Sequence, residues 1–93
     1  MPEPPSVYIV VLDLHRLEAP YEKLIEWLDC VGAVELSHEV FMVPTAYSAI
    51  QLESMIRRFI DVADGLSVFR LAPDYSGVPV AALRLLKRWL PRE

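Results

Sequence analysis

At 93 residues the chain has room for one domain, because domains usually run to ~50–200 residues and two cores would not fit. Hydrophobic residues make up 54% and charged residues 24%, with a mean hydropathy of +0.30, which excludes global disorder. The net charge of −4 conceals two bases against eight acids over residues 1–46 and seven bases against five acids over residues 47–93, so nucleic acid could meet only a local basic patch.

Residues 1–5 (MPEPP) read as a disordered or extended arm, without the basic start and apolar stretch of a secretory signal. The single Cys30 leaves no intramolecular disulfide and no cysteine-rich zinc motif, and a reducing cytoplasm is the expected setting. No apolar run reaches the ~18 residues of a membrane span, since Asp13, Glu26 and Asp29 interrupt the best candidates. The β-branched run over residues 7–12 stops at Asp13 and reads as a central strand buried on both faces. Residues 16–19 suit a loop, and Pro20 fits the first turn of a helix. Leu24, Ile25, Leu28 and Val31 then form one helical stripe, and Gly32 is placed for a left-handed cap.

Residues 33–36 and 39–44 read as one long or two short strands of interior character. Ser48 with Gln51 makes a capping box, and Tyr47 with Leu52 is spaced as a hydrophobic staple. The helix that follows has an apolar face of Leu52, Met55, Ile56, Phe59, Ile60 and Ala63, and Asp64-Gly65 ends it. A strand over 66–72, a loop rich in Pro and Gly, and a helix over 80–90 complete the chain, with Pro91 as the stop. In that last helix Leu83, Leu86 and Leu90 lie on one side, and Arg84, Lys87 and Arg88 on another.

The order β-α-β-β-α-β predicts an α+β fold, a ferredoxin-like sandwich over residues 6–73 with both long helices on one face of an antiparallel sheet. Residues 74–93 add a loop and an extra C-terminal helix, packed on the domain or on a dimer mate. Strands apolar on both faces require the second sheet face to be covered by another protomer, by that helix, or by both, and a homodimer is expected.

Asp13 is the first candidate for chemistry. A carboxylate directly after an apolar strand is expected to be partly desolvated, which suits a hard divalent cation such as Mg²⁺ and equally suits a strand-end acid that accepts amide hydrogens from the next loop. His15 would share a side with Asp13 if the strand continued, as a ligand, a base or a surface loop histidine. His38 and Glu39, as adjacent strand residues, would face opposite ways. Cys30 lies late in a helix beside Asp29, away from any cationic neighbour, and reads as a small inert hydrophobe. Three scattered glycines rule out a Rossmann or P-loop site. Arg84, Lys87 and Arg88, at i, i+3 and i+4, fit a solvated face and also a footprint on a phosphate backbone, which Arg57 and Arg58 could extend. Trp27 and Trp89, set in helical apolar patterns, read as packing residues.

With this order in place, VYIVVLDL (7–14), YEKLIEWLDCVGA (21–33), VPT (43–45) with SAIQLESMIRRFID (48–61), and DGLSVFRLA (64–72) resemble the SinR-like proteins of the superfamily that holds the CRISPR-associated Cas-two proteins and the VapD-type ribonuclease toxins. The resemblance implies a ferredoxin-like homodimer. In Cas-two proteins the acid ending the first strand is the proposed metal ligand, paired with its mate across the two-fold, and the matching residue is Asp13. Two departures stand out: Glu39, where relatives often carry Ser before the hydrophobic-aromatic pair, and a tail from Asp74 onward that reads as helix rather than as an exchanged strand.

Three functions compete. A Mg²⁺-dependent endonuclease would join two Asp13 carboxylates at the dimer axis to activate water against RNA or DNA, with Arg84, Lys87 and Arg88 on the backbone. A non-catalytic dimeric interaction module of a defence or toxin–antitoxin system would use Asp13 only to cap a loop. A small-molecule sensor using a dimer groove rests on analogy of fold.

Overall fold

In the computed structural model, which describes residues 6–15 and 21–91, the first apolar run is β1 (Ser6–Asp13). It is followed by α1 (Glu22–Cys30), β2 (Val34–Ser37), β3 (Val40–Thr45), α2 (Ala49–Arg57), β4 (Gly65–Arg70) and α3 (Val80–Trp89). The N-terminal arm at 1–5, the loop at 16–19 and Pro20 lie outside the described residues. The described residues therefore form an α+β fold, a four-stranded open antiparallel sheet with three helices. The strand order is β2-β3-β1-β4, which leaves β1 in the interior, paired to β3 and β4 on its two sides. None of the helices among the described residues is long and apolar enough to cross a membrane.

Local chemistry accounts for the element ends. Gly32 has φ +80, and the bonds Gly32 N–H to Asp29 C=O and Ala33 N–H to Leu28 C=O close α1 in a Schellman motif. Ser48 Oγ accepts the Gln51 amide at 3.2 Å while Gln51 Oε1 accepts the Ser48 amide at 2.9 Å, the reciprocal capping box that starts α2. Tyr47, the outer member of the expected staple, is exposed. Pro44 lies past the last β2–β3 partners, Val34 and Met42, so its missing amide hydrogen costs no ladder bond there.

Alternation along β1 divides the core in two. Tyr8, Val10 and Leu12 face α1 and α2, where Leu24, Leu28, Leu52 and Ile56 meet them with Phe41 and Val43 of β3. Trp27 and Phe59 join this layer with ring centroids 5.9 Å apart. Val7 and Ile9 face the other way, where Met42 packs with Tyr75, Ala82, Leu85 and Leu86 under α3. The C-terminal helix thus covers part of the second sheet face in the same chain, and Tyr75 fastens it by donating its hydroxyl to Leu90 C=O at 2.8 Å. Trp89 packs at the edge of this second core.

Four expectations need correction. The β1 run is not buried throughout, because Val11 lies on the α3 face where α3 does not reach and is 36% exposed. Ile25 leaves the α1 stripe for solvent, and Trp27 packs against the core instead. The helix expected to continue to Asp64 ends at Arg57, and Arg58 and Phe59 donate to the carbonyls of Met55 and Ile56 in tighter turns. Glu39 is not a strand residue: with His38 it forms the β2–β3 turn, at φ +61.

Candidate functional site

The C-terminal end of β1 brings together two carboxylates of opposite character. Asp13 is the last residue of β1, lies on the α3 face and is exposed, not partly desolvated as a strand-end acid was expected to be. Its register partner on β4 is Gly65, and a Cβ on Gly65 would come within 3.0 Å of the Asp13 Cβ. The glycine therefore lets the two strands close beside Asp13.

Asp64, the residue before that glycine, is 3% exposed. Its Oδ1 accepts the His15 amide at 2.8 Å, and its Oδ2 accepts the Asp61 amide at 2.9 Å and the Tyr21 hydroxyl at 3.2 Å. Its own carbonyl accepts Arg57 Nη1 at 2.8 Å. One residue, through its carboxylate and its carbonyl, thereby ties the loop after β1, the start of α1 and the end of α2 to the start of β4. The His15 amide above all holds the Asp64 carboxyl below its ordinary range; the Asp61 amide, the Tyr21 hydroxyl and the charge of His15 add to this, and burial opposes them. Past the end of α2, the Asp61 amide thus bonds the Asp64 side chain instead of a helical carbonyl, while the Arg57 side chain reaches from the last helical residue to the Asp64 carbonyl.

Glu39 closes the same strand end from the hairpin side. Its carbonyl accepts the Leu12 amide at 2.8 Å and its Oε2 accepts the Leu14 amide at 3.3 Å. His38 Nε2 stands 3.4 Å from Glu39 Oε1, so these two side chains meet in the turn rather than facing opposite ways.

Compared with protein-family models, curated proteins and solved structures, the chain matches none.

The other sequence candidates disperse. His15 does not share a side with Asp13 through strand alternation, because β1 stops at Asp13. Among the described residues no three His, Cys, Asp or Glu side chains are grouped to hold a metal ion. Arg84, Lys87 and Arg88 are exposed on α3, turned away from the Ala82, Leu85 and Leu86 side that packs on the sheet. Arg57 and Arg58 do not extend that patch: α2 lies on the opposite sheet face and Arg57 is engaged by Asp64. Cys30 ends α1 in an exposed position rather than packing as a small hydrophobe.

A further feature lies beside Asp13. α3 contacts β2, β3 and β1, while β4 packs against α2 on the other face. On the α3 side this leaves Val11 and Phe69 exposed, the latter at 58%, together with Ser67, which pairs with Val11. Sequence reasoning missed Asp64 and this strip; the Asp-Gly step before a strand was the only local sign of the former.

Proposed function

We propose that the chain is a ferredoxin-like, SinR-like member of the superfamily of the Cas-two and VapD-type proteins, and that it works as a homodimeric interaction module. The observation that carries the dimer is the uncovered strip of Val11, Ser67 and Phe69 on the α3 face of the sheet. The strip itself carries no charge, and a two-fold contact sets such a patch against its own copy. The ferredoxin-like reading is supported by the order β1-α1-β2-β3-α2-β4 with β1 between β3 and β4 and two helices on one face.

One observation favours a second reading, a Mg²⁺-dependent endonuclease. Asp13 is on the same face as Val11, two residues along the strand and so roughly 7 Å away. A two-fold through the strip would bring two Asp13 carboxylates near one axis, where like charges repel unless a cation lies between them. Such a cation would activate water against a phosphodiester, with Arg84, Lys87 and Arg88 available to the RNA or DNA backbone.

Sedimentation of wild type and Phe69→Arg tests the dimer: wild type is expected to sediment as a dimer at micromolar concentration and the variant as a monomer. A monomeric wild type would sink the proposal. Adding millimolar Mg²⁺ or Mn²⁺ and assaying RNA and DNA cleavage separates the two readings. Tightening of the dimer and cleavage that Asp13→Asn abolishes would establish the endonuclease, whereas a dimer indifferent to the cation and to Asp13→Asn is the interaction module.

A further inference from the structure

On the sheet face opposite the Val11–Phe69 strip, a groove of about 310 Å³ opens between the β2–β3 turn and the start of α1. We infer that this groove binds a small organic cation with an aromatic body, of the arylalkylamine class.

Size and walls set the first part of the inference. Leu12 and Leu14 form one side, Leu24 and Ile25 of α1 another, and Phe41 of β3 completes the apolar lining. The volume sits at the lower end of the roughly 300–1,000 Å³ of small-molecule sites, which suits one ring and a short chain better than a cofactor. Ile25 is 46% exposed, an apolar side chain left open at the edge of a hollow rather than turned into the core.

Charge sets the second part. Among the described residues, the titratable side chains that line the groove are Tyr21, Glu35, His38 and Glu39. An adjoining hollow over α1, about 440 Å³, adds Glu22 and Glu26. Among the described residues four carboxylates rim the two spaces, and no described Lys or Arg lines them. These four carboxylates disfavour an anion, and a neutral ring would leave their potential unused. Glu39 is the anchor: its Oε2 takes the Leu14 amide at a long 3.3 Å, and the His38 contact to Oε1 is 3.4 Å. A carboxylate has about four acceptor positions, so both oxygens can still receive an ammonium hydrogen. The aromatic rings of Phe41 and Tyr21 give a cation and its ring a favourable wall.

The test is a titration of the full chain with 2-phenylethylamine, phenylacetate and 2-phenylethanol, three probes sharing one ring and differing in charge, followed by the amide signals of Leu14, Phe41 and Glu39 in ¹H–¹⁵N spectra. The amine is expected to shift these signals saturably in the millimolar range, with the alcohol and the acid at least about fivefold weaker. Glu39→Gln keeps an oxygen for the Leu14 amide and is expected to weaken the amine about fivefold while leaving the alcohol unchanged. Glu35→Gln, at an exposed position, repeats the comparison should the first variant disturb the turn. Equal binding of all three probes, no saturation, unchanged amine binding in both variants, or shifts centred on Val11 and Phe69 would each overturn the inference.

Discussion

On one face of the sheet, α1 and α2 bury every β1 side chain they meet, so that Tyr8, Val10 and Leu12 are all withdrawn from water. On the other, α3 covers Val7 and Met42 but stops short of β4, and Val11 and Phe69 stay wet. The acids follow the faces. Asp64 is locked among His15, Asp61 and Tyr21, whereas Asp13 stands exposed at the uncovered end. Apolar strand residues can therefore mean two things within one sheet, buried core or open surface, and here the reach of a helix decides between them.

The largest expected effects break the first half of that comparison. Ile56→Ala under α2 and Leu86→Ala under α3 both truncate side chains with no exposure, and each is expected to cost about 2–5 kcal/mol in urea unfolding. Phe69→Ala, an equally apolar change on β4, is expected to cost the isolated protomer far less. A loss at Phe69 as large as that at Leu86, measured at dilutions where dimers dissociate, would show that the strip is core after all.

A smaller effect sharpens the contact between β1 and β4. Gly65→Ala places a methyl group about 3.0 Å from the Asp13 Cβ, and strand backbone has little room to yield. Overpacking of this kind typically costs about 1–3 kcal/mol. In a double-mutant cycle Asp13→Gly should recover much of that loss, because it removes the atom met first. Additive losses would mean that the strand ends part freely and that the glycine serves something other than this close approach.

Contiguous signals were the legible ones. The capping box at Ser48 and Gln51 and the left-handed Gly32 sit within a few residues of the groups they bond, and both appear in the structure as expected. The three helices, and Asp13 at the end of a central strand, were legible from periodicity. Asp64 was not, because its partners His15 and Tyr21 lie 49 and 43 residues away in the chain. The turn at His38 and Glu39 escaped notice because it contains neither glycine nor asparagine, and Glu39 takes up φ +61 while its carbonyl and carboxylate bond Leu12 and Leu14. The open strip depends on where α3 ends its coverage, a tertiary fact that no pattern in residues 65–70 encodes.

The last expected effect separates the two acids by pH. Asp64 titrates below its ordinary value of 3.8 in the folded chain, so the unfolded chain takes up the proton first as acid is added. Its stabilisation is therefore complete above pH 4–5, by about the unfolded value of Asp, and is lost as pH falls through the folded one. In thermal unfolding from pH 7 to pH 2, Asp64→Asn should start below wild type and converge on it at the acid end. The loss at pH 7 follows from exchanging an acceptor-only carboxylate for an amide that can offer only one oxygen to three donors. Asp13→Asn, at an exposed position, should follow wild type throughout to within about 0.5 kcal/mol. Parallel curves for wild type and Asp64→Asn would mean that the amides of His15 and Asp61 find other acceptors, and the contrast between a structural acid and an available one would fail at its buried member.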